Sequence, residues 1–166
     1  MRSVADFYQD CMAVAHALPP LDVQLADAVS CVLAEDVQAH FKLPVADLSA
    51  CDGYAVRIRD CEGSTLESPV TLPVTEEIRA GAVDPVALVP GTAIRIASGA
   101  PMPTGAEAVV SLEFTDHGIA QVALRTAPAA GENIRRRAED VAQGATVLRS
   151  GTRIGARQMA LLAGVG

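Results

Sequence analysis

Between Pro44 and Pro128 a Gly or Pro interrupts the chain every few residues, and this habit decides most of what the segment can become. A long helix does not survive such punctuation: Pro lacks an amide donor and clashes with the preceding turn, and Gly costs backbone entropy. The apolar runs left between the breaks are short and largely β-branched: Tyr54–Ile58, Val70–Val74, Ala93–Ile96, Ala108–Leu112 and Ile119–Leu124. Short strands with turn signals between them predict an all-β module and argue against a parallel βαβ sheet. Thr115-Asp116-His117-Gly118 has the composition of a hairpin turn joining the last two runs.

The flanks read differently. Ser3-Val4-Ala5-Asp6 is a capping box with Asp in the place of Glu. Val4, Phe7, Cys11, Val14 and Leu18 then recur at helical spacing until Pro19-Pro20 ends the pattern. A second helix is expected over Leu25–Leu33, on a stripe of Leu25, Val29, Val32 and Leu33, followed by an extended piece from Val37 to Leu43. Near the C-terminal end come a strand at Ala145–Leu148, a turn at Gly151 and a helix over Ala156–Ala163, with Gly155 as N-cap and Gly164 as stop. The fold class expected is therefore mainly β with α+β flanks: a β module inserted into a small α+β unit.

Half the residues are hydrophobic and a fifth are charged, which excludes a disordered chain. Thirty of the apolar residues are Ala and only five are aromatic, so the core must be made of Val, Leu, Ile and Ala. No apolar run approaches the ~20 residues of a membrane-crossing helix, and the first helix carries Asp6 and Asp10 where a secretory signal would be apolar. A cytoplasmic location with no membrane partner is expected. Cys11, Cys31, Cys51 and Cys61 are scattered, with no C-x-x-C pair, so reduced thiols are expected and neither a disulfide framework nor a zinc cage is suggested.

The net charge of −7 is uneven, with residues 1–124 strongly acidic and residues 125–166 basic. An acidic chain with a basic end is a poor nucleic-acid binder, though it can hold a local anion.

Three segments carry groups capable of chemistry. In Ser49-Ala50-Cys51-Asp52-Gly53-Tyr54, Asp52 is either a plain turn residue or a carboxylate fixed to bind Mg²⁺ or orient water. In Arg95-Ile96-Ala97-Ser98-Gly99-Ala100-Pro101, a Ser-Gly pair ends a strand, where backbone N–H groups and the hydroxyl could meet an oxyanion; an ordinary loop has the same look. Asn133-Ile134-Arg135-Arg136-Arg137-Ala138-Glu139-Asp140 offers three arginines, but an extended chain splits them between two faces, and Glu139 and Asp140 can pair with them. No Ser-His-Asp order, nucleotide fingerprint or metalloprotease helix is present.

Taken together, the three segments resemble the N-terminal half of the molybdopterin molybdenumtransferase family, which includes bacterial MoeA and the E domain of gephyrin. Ser49–Arg57 resembles the family's S-A-M-D-G-Y-A-V-R, Arg95–Pro101 its R-I-M-T-G-A-P, and Asn133–Asp140 its N-I-R-R-R-G-E-D. Leu33–Val37, Pro90-Gly91 and Leu161–Gly166 extend the likeness along nearly the whole chain. Cys51, Ser98, Ala138 and Ser30 depart from the usual Met, Thr, Gly and Gly. Ala138 is the most consequential, because a glycine with positive φ at that place would resist replacement by Ala.

The resemblance implies an irregular, coiled, barrel-like β domain over residues 48–140 and a discontinuous α+β domain over 21–47 plus 141–166. It also implies that the helix within residues 1–20 packs on an α/β domain not contained in this chain. It implies molybdate insertion into adenylylated molybdopterin with release of AMP, dependence on Mg²⁺, and an elongated homodimer whose active cleft lies between subunits. A molybdopterin adenylyltransferase is an expected partner. Carried over residue by residue, Asp52 and Ser98 would be catalytic, with Asp52 also a metal ligand. Ser98 and Gly99 would be oxyanion donors, and Gly99, Arg136, Arg137 and Asp140 would bind substrate. On this reading the chain supplies one wall of the cleft and is inactive alone. The alternatives are a non-catalytic dimerisation or scaffold module of the same family and a small nucleic-acid binder.

Overall fold

A computed structural model describes residues 2–16, 18–84 and 86–166. Met1 and Ala17, part of the expected 1–20 segment, lie outside the described residues. The chain divides into two compact units, Met1–Val37 with Leu148–Ala163 and Gln38–Val147 with Gly164–Gly166.

In the first unit, α1 (Val4–Val14) begins at the expected capping box: the Asp6 N–H donates to Ser3 Oγ at 3.1 Å and the Asp6 carboxylate accepts from the Ser3 N–H. None of its side chains is buried, and Phe7, Tyr8 and Met12 stand more than half exposed. The second helix expected over Leu25–Leu33 does not form. Only a single 3-10 turn, Leu25–Asp27, is present, and Ser30 then takes a left-handed conformation at φ 70°. The reason is long-range. The segment turns to meet residues 151–154, with Ser30 N–H donating to the Ile154 carbonyl at 2.8 Å, Leu33 N–H to Thr152 at 3.0 Å, and Ile154 N–H back to Cys31 at 2.9 Å. Asp36 fixes the return by accepting from Ser150 N–H and Arg149 Nη1, both at 2.8 Å. These bonds hold the Asp36 carboxyl below the usual carboxylate range, the Ser150 amide contributing most.

The second unit carries most of the strands. Along the chain they are β1 (Val37–Gln38), β2 (Leu48–Ser49), β3 (Gly53–Val56), β4 (Val70–Ile78), β5 (Ala93–Ile96), β6 (Ala108–Ser111), β7 (Gln121–Leu124), β8 (Ile134–Arg135) and β9 (Thr146–Leu148), with β1 and β9 straddling the boundary between units. Five of them form one curled sheet in the order β6-β3-β5-β4-β7. Every residue of β3 is buried, as are three of the four in β6. The alternation sends Tyr54, Val56, Ala108 and Val110 into one apolar cluster with Leu72, Val122 and Leu124. It sends Ala55 and Val109 into another with Ile78, Ile94 and Ile96. A sheet covered on both faces explains why these runs are almost continuously apolar. It also explains how a chain with five aromatics builds a core: Tyr54 is the one large ring fully inside, and its hydroxyl donates to the Gly118 carbonyl at 2.9 Å.

Two local expectations give way to this sheet. β6 and β7 do not form the hairpin suggested by Thr115–Gly118, because they lie at opposite edges, paired to β3 and β4. Asp116 instead uses its Oδ1 to accept from Gly118 and Ala123 N–H and closes a wider turn. And β4 runs parallel to β5, reached by a crossover without a helix. The last helix, α2 (Ala156–Val165), starts after Gly155 as expected, with Met159 N–H donating to the Gly155 carbonyl at 2.9 Å, but it runs through Gly164 rather than stopping there.

Candidate functional site

The curled sheet brings three strand ends to one place. β3 is antiparallel to β5, pairing Gly53 with Ile96 and Tyr54 with Arg95. β4 is parallel to β5, pairing Glu77 with Arg95 and Ile78 with Ile96. The start of β3 therefore meets the C-terminal ends of β4 and β5. Asp52, Ala97, Ser98 and Glu77 all sit at this rim. Gly53 is required there, since a Cβ would collide with the Val110 carbonyl oxygen of β6 and come within 2.9 Å of Val109 Cγ1.

Asp52 is exposed, and its Oδ1 accepts a 2.8 Å hydrogen bond from the Ser98 backbone N–H. Among the described residues no donor is bonded to its Oδ2. Ser98 Oγ makes only a long 3.4 Å contact with the Ala50 carbonyl. Gly99 turns the chain at φ 77°, and its N–H donates to the Ser49 carbonyl at 2.8 Å. Both backbone amides expected to face an oxyanion are thus bonded within the protein. Asp52 and Ser98 come together, but the groups they present outward are a carboxylate oxygen and a hydroxyl. A cleft of about 190 Å³ beside them is lined by Asp52, Glu77 and Arg95 among others. Gly99 itself lines a larger, mainly apolar groove of about 510 Å³, together with Val45, Val83, Val86 and Met102.

The Asn133–Asp140 segment reaches the same region through β2, which pairs with β8 as Leu48 opposite Arg135 and Ser49 opposite Ile134. Ser49 is buried and bonded on all sides: its N–H to Ala100, its carbonyl from Gly99, its Oγ to Cys51. One short strand thereby ties all three segments together. The arginines, however, gather at the far end of it, around Asp47. Asp47 Oδ1 accepts from Arg137 N–H at 2.7 Å and Oδ2 from Arg136 Nη1 at 2.9 Å. The Arg137 amide, then the Arg136 guanidinium, lowers the Asp47 carboxyl from its ordinary value. Asp47 precedes β2 and Asp52 follows it, so the two carboxylates lie beyond opposite ends of that strand. Asp140 is paired with Arg135, which also lies 3.8 Å from Glu139. Arg136 and Asp140 are thus each engaged in an exposed ion pair, and of the two expected substrate arginines Arg137 keeps its guanidinium outside any ion pair among the described residues. Asp47, which organises this end, carries no local motif; its partners lie 89 and 90 residues away.

The residues do not build a cage for the Mg²⁺ that the resemblance implies. Among the described residues there is no group of three or more His, Cys, Asp or Glu that could hold a metal. Asp52 offers one unbonded carboxylate oxygen, where Mg²⁺ needs six oxygen ligands. Also among the described residues, no helix is long and apolar enough to cross a membrane.

This combination, a curled β sheet whose rim joins Asp52, Ser98 and the arginine run through one strand, has close counterparts. The MoeA N-terminal region, domains I and II, matches residues 2–166. A molybdopterin molybdenumtransferase 2 of Mycobacterium tuberculosis is 46% identical over 166 residues, covering 100% of this chain and 41% of the relative. The molybdopterin molybdenumtransferase of Bacillus subtilis is 39% identical over 148 residues, covering 87% of this chain and 34% of that protein. The crystal structure of the molybdopterin biosynthesis MoeA protein of Pyrococcus horikoshii superposes with a TM-score of 0.81 at 37% identity, over 87% of this chain and 38% of that one. The chain belongs to the MoeA, or molybdopterin molybdenumtransferase, family and corresponds to its N-terminal region. It spans about two-fifths of the length of the Mycobacterium relative.

Proposed function

We propose that this chain is the N-terminal part of a cytoplasmic enzyme that inserts molybdate into adenylylated molybdopterin with release of AMP, and that it contributes one wall of the active cleft. The observation that carries this reading is the Asp52–Ser98 pair, an exposed carboxylate locked by a backbone amide at a rim where three strand ends converge. Asp52 Oδ1 is fixed by the Ser98 N–H, so Oδ2 is aimed without further ordering. It takes a proton from the water that attacks the adenylate phosphorus; the P–O bond from that phosphorus to the molybdopterin phosphate breaks, releasing AMP and leaving the phosphate on the molybdopterin. Ser98 Oγ, held only loosely, swings from the Ala50 carbonyl to donate to a phosphate or molybdate oxygen. Arg136 and Asp140 act at one remove, through Asp47 and Arg135, by fixing the run that carries Arg137. Coordination of Mg²⁺ would need oxygens from substrate, water and parts of the enzyme outside this chain.

The pterin-binding part of the cleft and the surface that covers the exposed side chains of α1 belong, on this reading, to domains beyond these residues, and to a homodimer. The exposure of α1 also favours a second reading, a docking or dimerisation module without catalysis. The test is cofactor synthesis from adenylylated molybdopterin and molybdate. The 166-residue chain alone is expected to give none. In the complete polypeptide, Asp52→Asn is expected to lower turnover by about 100-fold or more. Turnover unchanged by that substitution returns Asp52 to being a turn residue and leaves the docking reading.

A further inference from the structure

In the second unit a cleft of about 240 Å³ is lined by His40, Phe41, Lys42, Val45, Arg137 and Gln143. Its lining contains no acid, in a chain whose net charge is −7. Among the described residues neither Lys42 nor Arg137 is in an ion pair. Two nearby carboxylates are engaged elsewhere: Asp47 by Arg136 and the Arg137 amide, Asp140 by Arg135. His40 and Gln143 add N–H donors, because an imidazole carries at least one and the amide has two.

The backbone beneath these side chains is fixed from both sides. His40 and Phe41 N–H both donate to the Val165 carbonyl, at 2.8 and 3.1 Å. Ala39 N–H donates to Ala145 and Gly144 N–H back to Ala39, at 2.9 and 2.8 Å. Leu43 and Val141 exchange two bonds, at 2.9 and 3.0 Å, and Arg137 is held by Asp47. A pinned backbone spares the cleft any loop ordering on binding an anion, so the order lost is confined to the side chains, chiefly Lys42 and Arg137. Phe41 stands 59% exposed, with its Cδ2–Cε2 edge against Gly166, so it presents an open ring at the side of the cleft.

We propose that this cleft binds a small phosphate monoester, the phosphate held by Lys42 and Arg137 with His40 and Gln143 as further donors, and a planar ring on the ester lying against Phe41. Arg can take two phosphate oxygens through its fork while Lys supplies a point charge. The inference shares Arg137 with the proposed reaction but not Asp52 or Ser98. Binding is measured without turnover, so either reading can fail while the other stands.

The test is calorimetric titration of the 166-residue chain with orthophosphate, methyl phosphate and phenyl phosphate at low ionic strength. All three should saturate one site, phenyl phosphate tightest, and all should weaken as salt is added. Lys42→Gln with Arg137→Gln should weaken phenyl phosphate by at least about 10-fold, the loss expected for one charge-assisted contact. Phe41→Ala should bring phenyl phosphate to the level of methyl phosphate and leave orthophosphate unchanged. In the unaltered chain, amide resonances of residues 40–45 and 137–143 should shift on adding phenyl phosphate, a readout that survives should the double variant fail to fold. Absence of saturable binding, shifts confined to other residues, or a folded double variant that binds as before overturns the site. Equal affinity for orthophosphate and phenyl phosphate overturns the monoester assignment.

Discussion

Ala138 sits at φ 64°, in the left-handed region, where its Cβ crowds the backbone. The geometry is imposed from outside: Ala138 N–H donates to the Pro44 carbonyl at 3.0 Å, and Asp140 N–H to Leu43 at 2.9 Å, so the arginine run must turn sharply. An L-residue held there costs roughly 1–2 kcal/mol, which glycine avoids. Glycine gives back about 0.4–1 kcal/mol through its greater freedom in the unfolded chain. Ala138→Gly should therefore stabilise the fold by a net ~0.5–1 kcal/mol. With a urea slope of about 2 kcal/mol per molar, the midpoint should rise by about 0.3–0.5 M at unchanged slope.

Gly144 supplies the reverse experiment in the same unit. Its φ is 80°, its N–H is bonded to Ala39, and a Cβ would meet nothing within 4 Å. Gly144→Ala therefore isolates the conformational cost from any clash, and should lower stability by ~0.5–1 kcal/mol. Urea unfolding followed by circular dichroism reads both variants. A loss of stability in Ala138→Gly, alongside the expected loss in Gly144→Ala, would refute the assignment of strain to position 138.

Other substitutions and conditions probe different parts of the same account. Gly53→Ala, which drives a Cβ into the Val110 carbonyl of a buried strand pair, should cost about 3 kcal/mol, several times Gly144→Ala; equal costs would mean β6 can move aside. Asp36, Asp47 and Asp116 all have carboxyls lowered chiefly by backbone amides. Their ionised forms favour the fold, so stability should be level above the unfolded value of about 4 and fall as pH drops below it toward the lowered folded values. Asp47→Asn should make that acid decline shallower, and an unchanged pH profile by urea unfolding would remove Asp47 from the account. Burial pushes the Cys61 thiol up to about 11, while Cys11 and Cys31 are exposed. A thiol reagent at neutral pH should label Cys11 and Cys31 in the native chain and Cys61 only after denaturation, by mass spectrometry; prompt labelling of Cys61 would contradict its burial.

What could be seen in the sequence was what local chemistry determines. The Ser3–Asp6 box, the β-branched runs and the turn at Gly99 depend on neighbours a few residues away, and they appear where the sequence puts them. What escaped depends on partners far along the chain. The apolar stripe of Leu25–Leu33 gives way because residues 151–154 offer its backbone other bonds, and the Asp116 turn joins strands that end at opposite sheet edges. The site shows the same division. Asp52 and Ser98 were recognisable as a pair of motifs, but whether their amides point outward could not be read from Ser-Gly alone. The Ser49 carbonyl and the Asp52 carboxylate, nearly fifty residues upstream, take both N–H groups. That changes the chemistry available at this rim. A pair of free amides would have made it an oxyanion cradle. With the Ser98 amide spent on fixing Asp52 and the Gly99 amide on the Ser49 carbonyl, the rim presents an anchored carboxylate beside a hydroxyl held by one long contact, which on the proposed reading handles a water molecule and a phosphate oxygen.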